Sequence, residues 1–175
     1  TVDTLHRAHC PALVIPPSDG DAAGATATVK RILVAVDFRP SSTAALGYAL
    51  SLAEELDAHL EVLHVISSVP NAVVPQGRPR GLTASEHQMR ERALAQIRRL
   101  IPDDAREWCS IEEQVIEGPP DREIVRRASE THAELLVMGF GELPLRLSHR
   151  LGLTTDRVLR VAPCPVLIVP RPHED

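Results

Sequence analysis

The sequence predicts a doubly wound α/β fold, a five-stranded parallel sheet with helices on both faces. Three observations carry that expectation. Short apolar runs recur along the chain, of which Ile32-Leu33-Val34-Ala35-Val36 is the clearest. Between them lie longer stretches with apolar residues at helical spacing, and the two kinds alternate from Arg31 to Val169. Such alternation builds right-handed βαβ units, and a strand covered on both faces reads as an unbroken apolar run.

The first strand covers 31–36. Asp37-Phe38-Arg39-Pro40-Ser41-Ser42 is turn chemistry, with Ser41 or Ser42 as the expected N-cap of a helix over 42–57 carrying Leu46, Ala49, Leu50, Ala53 and Leu56. The second strand is 60–66, followed by a Pro- and Gly-containing loop over 67–83. Ser85-Glu86-His87-Gln88 has the form of a capping box, and Met89, Ala93, Leu94, Ile97 and Leu100 form the stripe of a second helix ended by Pro102. A third strand, 109–116, alternates more and reads as an edge. Gly118-Pro119-Pro120 leads into a helix with Ile124, Val125 and Ala128, and 134–138 is the fourth strand. A polar stretch over 139–150 precedes a last helix near 152–162, and 165–169 is the fifth strand. In such a sheet a ligand lies at the carboxyl ends of the strands where the strand order reverses, which points to Asp37 and Gly139.

Composition narrows the function classes. A length of 175 residues suits one domain plus a tail. The net charge of −5 and the presence of only four aromatic residues, Phe38, Tyr48, Trp108 and Phe140, argue against nucleic-acid recognition, which needs a basic face and stacking platforms. No membrane span and no leader-like apolar segment is visible, so a soluble, cytoplasmic protein is expected. Cys10, Cys109 and Cys164 are odd in number and widely spaced, and are expected as buried, reduced thiols. His6-x-x-His9-Cys10 lacks a fourth ligand at a recognisable spacing, so no metal is expected. Lys30 is the sole lysine, which removes most options for Schiff-base or P-loop chemistry; only Lys30 could serve, and it precedes the first strand.

Ile32-Leu33-Val34-Ala35-Val36-Asp37, Leu63-His64-Val65, Val137-Met138-Gly139 and Ala162-Pro163-Cys164-Pro165-Val166-Leu167 together resemble the universal stress protein family, in the right order over about 31–170. The resemblance implies strand order 3-2-1-4-5, an adenine nucleotide α-hydrolase-like fold and dimerisation through the last strand, here Val166, Leu167, Ile168 and Val169. It also implies a regulatory or stress-response role, with some members binding ATP and others not. In the binding group a loop of the form Gly-x-x-Gly, nine residues, then Gly followed by Ser or Thr wraps the phosphates, because glycines let backbone amides approach an anion. Gly139 and Gly152 match that pattern; Glu142 and Leu153 stand where the second glycine and the hydroxyl belong. A carboxylate and a missing donor both oppose a triphosphate. The expectation is therefore a non-catalytic module with a degraded ATP loop and no cofactor. The alternative is an ATP or AMP sensor using Asp37, Val65, Met138, Gly139, Gly152, Thr154 and Thr155. Without family likeness, Asp37 reads equally as a turn or N-cap carboxylate and Val65 as an ordinary strand residue. A related ATP pyrophosphatase or ligase would need a Gly-rich loop after the first strand, which Asp37-Phe38-Arg39-Pro40-Ser41-Ser42 is not.

The first seventeen residues match the chain's own end. With Cys10-Pro11 laid on Cys164-Pro165, Leu5 falls on Leu159, Ala8 on Ala162, Leu13 on Leu167, Val14 and Ile15 on Ile168 and Val169, and Pro16 on Pro170. The expected organisation is a last-strand remnant of a preceding similar module in 1–17, a linker in 18–29, the domain in 30–171 and a tail in 172–175. Residues 11–15 are expected to pair antiparallel with 165–169, within one chain or between two, as a homodimer or pseudo-dimer.

Overall fold

A computed structural model of the chain describes residues 10–16, 28–67, 84–140 and 153–171. In chain order the elements are β1 (Ala12–Val14), β2 (Arg31–Ala35), α1 (Pro40–Leu56), β3 (His59–Ile66), α2 (Ala84–Leu100), α3 (Ala105–Trp108), β4 (Ile111–Glu117), α4 (Pro120–Glu130), β5 (Leu135–Phe140), α5 (Leu153–Val161) and β6 (Val166–Pro170). They form one mixed sheet of order β1-β6-β5-β2-β3-β4. β2 to β6 are the five parallel strands in the expected order, and β1 adds a sixth, antiparallel, on β6.

The apolar pattern explains the layers. On one face Ile32, Val34, Leu60 and Val62 pack against Leu46, Ala49 and Ala53 of α1 and Ala93 and Ile97 of α2. On the other, Leu33, Leu63, Leu136, Val166 and Ile168 pack against Ile124 and Ala128 of α4 and Val158 of α5. Each fully buried Leu or Ile, such as Leu46 or Leu136, contributes on the order of 1.5–3 kcal/mol.

Several boundaries differ from the sequence expectation. α1 begins at Pro40, whose fixed φ suits the first turn, and Arg39 occupies the N-cap without a side-chain cap bond. Ser41 and Ser42 are thus not caps; both are buried inside the first turn. α2 begins at Ala84, which puts Ser85 inside the helix rather than at its cap. Cys109 ends the short helix α3 instead of opening a strand, and β4 starts at Ile111. β5 runs on to Phe140, and β6 is shifted one residue to 166–170. Leu56 and Met89, expected on apolar stripes, are exposed. Cys109 and Cys164 are buried, but Cys10 is exposed. The expected loop 67–83, polar stretch 139–150 and linker 18–29 lie mostly outside the described residues, and 1–9 lie wholly outside them.

β1 pairs with β6 about a local twofold axis. Leu13 faces Leu167, Ala12 faces Ile168 and Val14 faces Val166. Leu13 and Leu167 are also counterparts in the internal sequence match, so the segment lies against β6 as one copy of that strand would lie against another. Val14 packs into the α4/α5 layer, whereas Leu13 remains exposed.

Candidate functional site

The order of the sheet reverses between β2 and β5: the chain leaves β2 towards β3 and leaves β5 towards β6. At that point the strand ends separate from their helices and leave a crevice. A cleft of about 450 Å³ fills it, lined by Asp37, Arg39, Ser42, Leu63, His64, Val65, Pro120, Ile124, Met138, Gly139, Thr154 and Thr155 among others. That volume falls in the range usual for small-molecule sites, about 300–1,000 Å³.

The cleft brings together Asp37, Val65, Met138, Gly139, Thr154 and Thr155, every candidate nucleotide-binding residue from the sequence that is described here. Gly152 and Glu142 lie outside the described residues, and of Leu153 only its place as the first residue of α5 is described. Strand alternation sorts the walls. Leu63 and Val65 of β3 and Met138 of β5 face the α4/α5 layer and make an apolar floor with Ile124. Thr154 and Thr155 sit in the first turn of α5, where unsatisfied backbone N–H groups favour an anion. Asp156 in the same turn is paired with Arg160, its carboxylate accepting from the guanidinium at 3.1 Å.

The β2–α1 corner forms the rim. The Asp37 N–H donates to Ser42 Oγ at 3.2 Å, and Ser42 Oγ donates to the Arg39 carbonyl at 3.0 Å. Asp37 Oδ1 accepts from the Arg39 N–H at 3.2 Å, so the carboxylate does serve the turn, yet its side chain is 56% exposed and borders the cleft. The turn reading of Asp37 describes the corner: Oδ1 ties it, and Oδ2 pairs with Arg39 Nε at 3.6 Å, while the group borders the cavity. Gly139 has a packing role that the loop pattern did not reveal. A Cβ there would stand 2.4 Å from the Ser41 carbonyl carbon and 2.5 Å from the Ser42 nitrogen, so only glycine lets the first turn of α1 press onto β5.

Two residues of this corner carry roles that the sequence does not signal. Ser42 reads there, with Ser41, as a candidate helix cap, and its bonds to both sides of the turn depend on where α1 starts. His64 was noted only as part of Leu63-His64-Val65; its Nδ1 lies 2.8 Å from the Val36 carbonyl and its ring 4.4 Å from that of Phe38. A histidine inside an otherwise apolar strand was the available signal. Among the described residues no cluster of three His, Cys, Asp or Glu side chains is placed to hold a metal, and no helix is long and apolar enough to cross a membrane.

The universal stress protein family model matches residues 28–170. The chain belongs to that family. A curated relative, the universal stress protein MJ0531 of Methanocaldococcus jannaschii, is 30% identical over 149 residues, covering 83% of this chain and 85% of its own. Among solved structures, a universal stress protein of Archaeoglobus fulgidus DSM 4304 is similar with a TM-score of 0.63 at 21% identity, covering 98% of this chain and 53% of that one. A universal stress protein in complex with cAMP is similar with a TM-score of 0.58 at 22% identity, covering 83% of this chain and 100% of that one. At these identities the structural likenesses establish the fold alone.

Proposed function

We propose that this universal stress protein is a non-catalytic regulatory module whose cleft takes an adenosine monophosphate in preference to ATP. The observation that carries the reading is the convergence of an apolar floor, the half-exposed Asp37 carboxylate and the two α5 hydroxyls in one cleft at the switch point. The floor formed by Val65, Met138 and Ile124 suits a purine face, Asp37 suits a ribose hydroxyl donor, and the first turn of α5 suits a single phosphate. A fold neighbour has been solved in complex with cAMP, which favours the same ligand class.

Preference for one phosphate over three follows from the loop. Glu142 stands where the family pattern has a glycine, and Leu153 removes the hydroxyl that follows the last one. Either change weakens the cradle for β- and γ-phosphates, one by repulsion and the other by a lost donor. Among the described residues of the corner, Ser42 Oγ is engaged with backbone on both sides and His64 is turned to the Val36 carbonyl, which supports a non-catalytic role. The β6 edge is the second working surface in this reading. Val166 to Ile168 pair antiparallel with β1 within the chain, and the last strand of another copy would take that place in a homodimer.

Isothermal titration calorimetry tests the ligand assignment. AMP is expected to bind the native chain at least about tenfold more tightly than ATP, a difference of about 1.4 kcal/mol. The double variant Glu142→Gly/Leu153→Ser is expected to recover ATP. Absence of heat with AMP, or equal affinity for both nucleotides in the native chain, overturns the proposal.

A further inference from the structure

His64 sits on the strand that supplies the cleft floor but does not belong to the floor. Leu63 and Val65 face the α4/α5 layer, so the residue between them turns to the opposite side of β3, where Phe38 packs against the α1/α2 layer. There its ring lies 4.4 Å from that of Phe38, tilted by 37°. Its Nδ1 lies 2.8 Å from the Val36 carbonyl oxygen, which can only accept, so the proton is on Nδ1.

Phe38 has φ of 65°. For a bulky side chain that left-handed conformation is disfavoured, and it persists only where the surroundings hold it. The hold is visible on both sides of the corner. From α1, Ser42 bonds Asp37 and Arg39; from β3, the Leu63 carbonyl accepts the Val36 N–H at 2.8 Å and His64 grips the Val36 carbonyl and the Phe38 ring. Asp37 lies between the two residues that His64 touches.

We infer that His64 is the positioning residue of the cleft: from behind β3 it fixes the strained Val36–Phe38 corner and thereby sets where the Asp37 carboxylate stands. His64 also borders the cleft, but the role assigned to it here runs through Asp37 rather than through contact with a ligand. The consequence for affinity rests on the nucleotide reading above; the consequence for the corner does not.

Two variants separate the grips. His64→Asn keeps a donor near the Nδ1 position and loses the ring, while His64→Phe keeps a ring and loses the donor. In the ligand-free protein, the NMR backbone shifts of Phe38 are expected to lose their left-handed signature in His64→Phe and to keep it in His64→Asn. AMP affinity is expected to fall about tenfold in His64→Phe and to stay within about threefold of native in His64→Asn. On an Asp37→Asn background His64→Phe is expected to cost no further affinity, because both changes act on one interaction. His64→Ala stands in, read the same way, if His64→Phe does not fold. Unchanged Phe38 shifts, or losses from His64 and Asp37 that add, overturn the inference. A native chain that binds no AMP sinks the nucleotide reading instead, and the Phe38 shifts still decide the role of His64.

Discussion

Gly139 lies under the backbone of Ser41 and Ser42, and the packing of α1 on β5 leaves no room there for a methyl group. Gly139→Ala is expected to lower stability by about 1–3 kcal/mol, read from the urea midpoint, because α1 must lift from the sheet to admit the Cβ. It should also weaken AMP binding, since Ser42 and Asp37 ride on the same turn. An unchanged midpoint would show that the turn yields freely. Lys30 teaches a related lesson. It read as chemically idle, and its Nζ in fact donates to the carbonyls of Leu56 and Asp57 at 2.9 and 3.0 Å, closing the end of α1 beside the left-handed Asp57. Glycine and serine types were visible in the sequence, but which backbone each would meet depends on packing between segments about a hundred residues apart. Cys164, whose thiol burial pushes up to about 11, and exposed Cys10 also look alike as letters.

At the scale of elements, most strands and helices could be read because their period and their covering agree. β2 and β5 are apolar on both faces, and both were found. The misplacements have local causes: Pro40 starts α1 earlier than its serines indicate, and α3 is a single turn too short to show a period. Ties between elements were not legible. Glu61, an acid in an apolar strand, is buried with its Oε1 2.5 Å from Arg127 Nε of α4, and burial raises its pKa despite that partner. Glu134 ties the start of β5 to β2 by accepting from the N–H groups of Lys30 and Arg31 at 2.6 and 3.0 Å. The Lys30 N–H first of all, and then that of Arg31, hold its carboxyl below the ordinary 4.5. A depressed folded-state pKa contributes stability that is full above the unfolded value and lost as pH falls through the folded one. Glu134→Gln is thus expected to lower the urea midpoint at pH 7 and to lower it less at pH 3, because native loses the same contribution as pH falls towards the folded value. Parallel midpoints at both pH values would contradict it.

The β1–β6 pair belongs to the same scale. Sequence self-comparison anticipated the partner strands, because both carry Cys-Pro followed by four apolar residues and Pro. It could not choose between pairing within a chain and pairing between chains, which is a matter of linker path rather than strand chemistry. Val14→Asp puts a charge into the α4/α5 layer and is expected to release β1. With the β6 edge open, the variant should associate in light scattering at concentrations where the native chain does not. A variant that associates no more than the native chain would remove β6 as a pairing edge.

For the whole molecule, the sheet order decides where a ligand can lie, and that order follows from right-handed crossovers between the elements. The position of the cleft was therefore legible from Asp37 and Gly139 alone. Its content was legible only in part: Val65, Met138, Thr154 and Thr155 came from family likeness, whereas His64 and Ser42 act through bonds that no spacing encodes. On the proposed function, the switch-point cleft is a monophosphate site framed by the β2–α1 corner. Titration of the labelled native chain with AMP, followed by amide chemical shifts, tests it most directly. The account predicts saturable shifts confined to the amides of Asp37, Val65, Gly139, Thr154, Thr155 and their neighbours. Shifts absent throughout, or centred on another face of the sheet, would contradict it.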